Sequence, residues 1–235
     1  MKFFLIKIFV FIFISLSFSN DVFFHNGKKV KIPTPENYCD IGNTKYGKFR
    51  LEYHRKITQQ NFSTPVLAKI YGRCSDTDPY FKFPILVMFA NLKVATHEDQ
   101  SFYNKYMSQN LPEMTNMVTN WDLNNPELIE KFNNANNSII EETFNESIKT
   151  NFNFKSSKIL FKNSYNLIIH TITEVNTGRG SELTSSISAK VMVPNNLITV
   201  NMAGIYNPET VFEEIVRNSI ILNQYSKRLK KINNY

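Results

Sequence analysis

The sequence predicts an α+β protein whose mostly antiparallel sheet is flanked by helices. Two observations carry this. First, residues 157–206 hold four runs that alternate with period two: 158–161, 166–175, 183–193 and 196–206. Ile187, Ala189, Val191 and Val193 share one face of the third run, with Ser186, Ser188 and Lys190 between them. In the fourth, Leu197, Thr199 and Asn201 oppose Ile198, Val200 and Met202. Period two with β-branched enrichment is the pattern of a half-buried sheet. Turn-like segments at 162–165, 176–182 and 194–195 join the runs, so antiparallel pairing is expected. Second, apolar residues recur at helical spacing on both sides of that region, in 43–56 and 97–150 before it and in 207–231 after it.

The chain begins with a segment outside that fold. Lys2 and Lys7 flank and interrupt an apolar run from Phe3 to Phe18, broken by Ser15 and Ser17. This is the layout of a secretory signal peptide over residues 1–19. Its apolar core is short for a membrane span, which needs roughly 17–25 residues. No later segment approaches that length, so no transmembrane segment is expected after cleavage. The remaining residues, 20–235, have the size of a single exported α+β domain with a helical insertion at about 97–150.

The formal net charge is +7, of which Lys2 and Lys7 belong to the leader. That excess is dilute. It permits contact with an envelope protein or an anionic surface and does not favour nucleic acid. Cys39 and Cys74 are the only cysteines. In an exported chain they are expected to pair, holding the Pro-rich segment around Pro33 and Pro35 against the exit of a strand at 66–71.

In chain order, Phe23 and Phe24 precede a turn at His25-Asn26-Gly27, after which Val30 and Ile32 point inward. Pro33 and Pro35 stop that strand because proline lacks the ladder donor. Residues 84–92 form a continuous apolar run, the pattern of a buried central strand. Asn125-Pro126-Glu127 and Asn207-Pro208-Glu209 carry a capping residue before proline, a helix-start signal. After the second, Val211, Phe212, Ile215, Val216, Ile220 and Leu222 form a wide apolar surface suited to a closing helix. It ends in the cations Lys227, Arg228, Lys230 and Lys231, which favour the helix C-terminus and are the candidate surface-contact residues.

No GxSxG elbow, HExxH, phosphate loop or dinucleotide fingerprint occurs, and no histidine has metal-ligand spacing. Neither a metal nor a cofactor is expected, and no catalytic residue can be chosen. The ligand-binding candidates are His97 in a His-Glu-Asp cluster, His170 inside a strand, and Arg179 at a Gly-Arg-Gly turn. Asparagine is abundant, notably at 133–137, and is read as composition, without a functional role.

The pattern Ile32-Pro33-x-Pro35-x-x-Tyr38-Cys39, followed by helix, strands, sheet and closing helix, resembles exported alpha-beta-alpha proteins of the PsbP/Mog1 type. It also resembles bacterial envelope proteins with an IPxPxxYC-like opening. The resemblance covers most of 28–225; the insertion at 97–150 departs from its small members. It implies an antiparallel sheet sandwiched by helices and a non-enzymatic adaptor or assembly role, and it assigns no binding residue. The expectation is therefore a non-catalytic exported binding or adaptor protein of the cell envelope. The alternative is a small-ligand-binding or hydrolytic envelope protein, with a pocket between residues 102–121 and the sheet.

Overall fold

A computed structural model describes residues 21–25, 28–60, 66–77, 81–89, 149–178, 180–193 and 196–234, with scattered helical residues between 129 and 141. The expected leader at 1–19, His97, Arg179 and the expected pocket at 102–121 lie outside the described residues.

Nine strands and two long helices make up the described fold. They are β1 (Asp21–His25), β2 (Lys28–Ile32), β3 (Tyr38–Asp40), α1 (Lys45–Gln60), β4 (Val66–Arg73), β5 (Ile85–Phe89), β6 (Thr150–Lys162), β7 (Leu167–Thr177), β8 (Gly180–Val193), β9 (Asn196–Ile205) and α2 (Val211–Ile232). The order β3-β4-β5-β9-β8-β7-β6 forms one sheet, antiparallel at each junction, and β1-β2 is a separate hairpin. The α+β class read from the sequence is the observed one.

Alternation along each strand decides which face it buries. Ile187, Ala189, Val191 and Val193 lie opposite Met202, Val200, Ile198 and Asn196. This face forms the main core, closed by Val30 and Ile32 of the hairpin and by Leu222, Tyr225 and Leu229 of α2. Each large apolar side chain buried there contributes about 1.5–3 kcal/mol. The opposite face of β4 and β5 presents Ile70, Leu86 and Met88 to Tyr46 and Leu51 of α1. The run at 84–92 does contain a central strand, β5, between β4 and β9 and buried on both faces. Just before it, Phe81 and Phe83 take left-handed backbone (φ 47° and 50°) and lay their rings over Gly72 and Gly204, where no Cβ intervenes.

The strands outrun their sequence-based boundaries. β6 begins at Thr150, eight residues before the alternating run at 158, where the sequence pattern places the end of the insertion. Register shifts at 154–156 and 159–161 break its alternation, so period two is weak there. β7 and β8 extend through most of the expected turn at 176–182, and the hairpin closes between Thr177 and Gly180.

Asparagine side chains seal the exposed backbone. β6 is a sheet edge. The Phe152 and Thr150 N–H groups donate to Asn133 Oδ1 (2.9 Å) and Asn137 Oδ1 (2.6 Å), two residues one helical turn apart. This covers donors that would otherwise template pairing with another chain. Asn163 Oδ1 accepts from the Tyr165 and Asn166 N–H groups, and Asn163 Nδ2 donates to Asn223 of α2. At the chain's end, Asn233 Nδ2 donates to Lys31 O while the Lys31 N–H donates to Asn233 Oδ1, each at 2.9 Å. The carboxamide thus pairs with β2 as a strand residue would.

Candidate functional site

Among the described residues a concave feature is built where β3 meets β4. Tyr38 and Arg73 are directly opposed in that ladder, so both side chains leave the same face. One residue along, Cys39 and Cys74 form a disulfide with Cα atoms 5.0 Å apart. The Cys74 N–H also donates to Asn37 O (3.1 Å). Asn37 takes the left-handed conformation (φ 61°), which turns the chain sharply out of the segment at Pro35. Disulfide, ladder and turn together hold Tyr38 and Arg73 in one register.

Helix α2 supplies the opposite wall. Tyr225 Oη donates to Pro33 O (2.9 Å), and Arg228 Nη1 donates to Thr34 O (3.0 Å). These bonds tie the helix to the Pro-rich segment and bring Ile221, Tyr225 and Arg228 beside Pro35, Tyr38 and Arg73. A cavity of ≈ 400 Å³ remains between them. That is within the roughly 300–1,000 Å³ range of small-molecule sites. Glu36 and Gln224 also line it. Burial first, then the neighbouring Tyr71 phenol, pushes the Tyr225 phenol well above its ordinary pKa, so it stays a neutral donor. Tyr38 is 6% exposed, and its buried hydroxyl has no hydrogen-bond partner among the described residues. A buried hydroxyl left unpaired costs about 1–3 kcal/mol.

The residues singled out in the sequence are dispersed. His170 lies in β7 on the main core face, its Nε2 2.9 Å from Ser185 Oγ. Burial first, then the Lys158 charge, lowers its pKa. It does not line the cavity. The four C-terminal cations do not act alike. The Lys227 ammonium sits 5.2 Å from the centre of the Tyr165 ring. Arg228 is at the cavity, as above. Lys230 is buried and donates to Ser164 O (2.9 Å), and burial lowers its pKa. Lys231 is exposed. Three of the four therefore bind α2 to neighbouring loops. Among the described residues there is no group of three or more His, Cys, Asp or Glu side chains that could hold a metal ion.

No motif in the sequence marks the cavity. Its residues come from 35–38, 73–75 and 221–228, and only the sheet register and α2 docking bring them together. The one local signal is the pair Tyr38-Cys39 and Arg73-Cys74: a disulfide between the second members places the first members side by side.

A separate feature lies on the outer side of α2. Phe212, Val216 and Ile220 are 75%, 44% and 53% exposed. At spacings of four they form one stripe, interleaved with Glu213 and Arg217. The wide apolar surface expected for this helix is thus divided. Leu222, Tyr225 and Leu229 enter the core, and the other half faces outward.

His54 on α1 shows what burial does to a titratable group here. Desolvation first, and the Arg50 charge second, hold its pKa down at about 3, and neither ring nitrogen has a partner among the described residues. The unfolded chain takes up this proton near the ordinary histidine value of 6.5 and the folded chain only near 3. Stability from this group is therefore complete above about pH 6.5 and falls on acidification across that interval, by up to about 1.4 kcal/mol per pH unit. His54→Leu is expected to flatten the acid limb of the pH–stability curve measured by urea unfolding. An unchanged slope between about pH 6.5 and 4 would refute this assignment.

No known protein family, curated protein or solved structure matches the chain.

Proposed function

We propose that the chain is a non-catalytic exported binding protein that docks a partner protein of the cell envelope through the outer face of α2. The observation that carries this reading is the Phe212–Val216–Ile220 stripe. Single exposed apolar side chains are ordinary on protein surfaces, but three aligned on one helix face form a continuous ridge of the kind that enters an apolar groove. Glu213 and Arg217 border the ridge with both charge signs, which suits register-setting ion pairs at an interface rim. Export is supported by the leader-like residues 1–19 and by the Cys39–Cys74 disulfide, which persists in oxidising compartments. No helix among the described residues is long and apolar enough to cross a membrane.

The test is paired affinity capture from the native envelope, with the mature chain and a Phe212→Ser/Ile220→Ser variant as baits. A partner recovered by the first and lost from the second is the expected result, since aromatic anchors at an interface centre typically cost ≥ ~2 kcal/mol when removed. These side chains are exposed, so the variant should keep its unfolding midpoint. Identical partner sets from both baits would overturn the proposal. Sedimentation of the pure chain separates self-association, in which the stripe would pack on its own copy.

A further inference from the structure

We infer that the cavity between β3, β4 and α2 is a binding site for a small carboxylate on an apolar body. This rests on the cavity alone and is independent of the docking face on the outer side of α2.

Two features converge on this chemistry. The first is charge. Arg73 faces the cavity from the position opposite Tyr38, and no ion pair to it occurs among the described residues. Arg228 adds a second guanidinium, held in place through Thr34 O. Against them stands the single carboxylate of Glu36, so the lining is net positive. A planar guanidinium matches the oxygens of a carboxylate. The second is the rest of the wall. Pro35, Ile221 and the Tyr225 ring are apolar and fit a hydrocarbon or aromatic body behind the charged head.

The site is built before any ligand arrives. The disulfide and the Cys74–Asn37 bond fix the Tyr38–Arg73 register, and Tyr225 and Arg228 fix the facing helix. Preorganisation of this kind removes ordering costs that would otherwise oppose binding. The same chemistry is offered by a free carboxylic acid and by the C-terminus of a peptide, and the experiment separates these sources.

Benzoate, benzamide, a free-acid tripeptide ending in phenylalanine and its C-terminal amide would be titrated against the mature, disulfide-intact chain. Binding would be read by calorimetry and by shifts of tyrosine and arginine NMR resonances. The expected result is saturable benzoate binding, with benzamide at least tenfold weaker. Arg73→Gln should abolish the preference for acid over amide. Tyr38→Phe, which keeps the ring and removes only a hydroxyl with no surface open to the cavity, should leave benzoate affinity unchanged. Tripeptide acid binding more tightly than benzoate, and lost in its amide, assigns the site to peptide C-termini. The converse assigns it to free acids. Equal affinity for acid and amide, binding that survives Arg73→Gln in a variant with an unchanged amide spectrum, or no saturation by either acid up to 10 mM (about tenfold above a ~1 mM Kd) would overturn the inference.

Discussion

Replacing Cys39 and Cys74 together by serine is expected to cost the folded protein about 3–4 kcal/mol. The bond spans a sequence separation of 35. In the chain-entropy account, closing a loop of that size removes about that much freedom from the unfolded chain. Other contributions at this end are smaller. β3 has only three residues and forms the sheet's edge, and a lone edge ladder of that length adds little. The disulfide thus adds a covalent restraint on the segment carrying Tyr38 to the bonds from Tyr225 and Arg228. Urea unfolding of the oxidised wild type and the double-serine variant measures the loss. A reductant should shift the wild-type midpoint to the variant's and leave the variant unmoved. Equal midpoints for oxidised wild type and variant would show that the bond does not stabilise this fold. The same variant should bind benzoate more weakly, because the Tyr38–Arg73 register is then free to fray.

Gly47→Ala is expected to destabilise by about 2–3 kcal/mol, against the usual direction for a helix. Alanine in a helix interior ordinarily gains about 1 kcal/mol over glycine. Here a Cβ at position 47 would lie 1.9 Å from the Ile41 carbonyl oxygen and 2.6 Å from its carbon. These are backbone atoms, so no rotamer change relieves the overlap. That carbonyl accepts a hydrogen bond from Thr44 Oγ1 (2.7 Å), and Thr44 Oγ1 in turn accepts the Gly47 N–H (3.0 Å). Moving Ile41 away therefore also loosens the cap that starts α1. Overpacking costs of about 1–3 kcal/mol or more outweigh the propensity gain. Gly178→Ala is the control, because nothing lies within 4 Å of a Cβ there. A raised midpoint for Gly47→Ala would show that the Ile41 turn yields freely, and would sink this account.

Much of the sheet is legible in the local pattern of residues. Ile187, Ala189, Val191 and Val193 alternate because one face is buried, and period two survives wherever the ladder is regular. β6 shows the limit. Two register shifts interrupt its alternation, and its outer edge is covered by Asn133 and Asn137, residues that read as composition. Their role depends on a helix lying beside an edge strand, which sequence spacing does not state. The closing helix is legible as apolar over a wide arc, yet nothing local tells Leu222, which enters the core, from Phe212, which does not. Only the direction in which α2 approaches β8 separates them.

The cations at 227–231 make the same point. Spacing and charge place them at a helix C-terminus, where they favour the dipole. Tertiary packing then gives Lys227 a Tyr165 ring, Arg228 the Thr34 carbonyl and Lys230 the Ser164 carbonyl. A cluster that reads as a basic surface is largely a set of fastenings.

By itself the sequence determined the α+β class, the strand faces and the cysteine pairing, because each follows from local periodicity or from a count of two cysteines. The tertiary structure alone decided which residues face one cavity. Tyr38, Arg73 and Arg228 are far apart in the chain, and they meet only because β3 pairs with β4 in one register while α2 is tied to Pro33 and Thr34. Such a site is a product of register and docking angle, quantities to which long-range contacts contribute and local spacing does not.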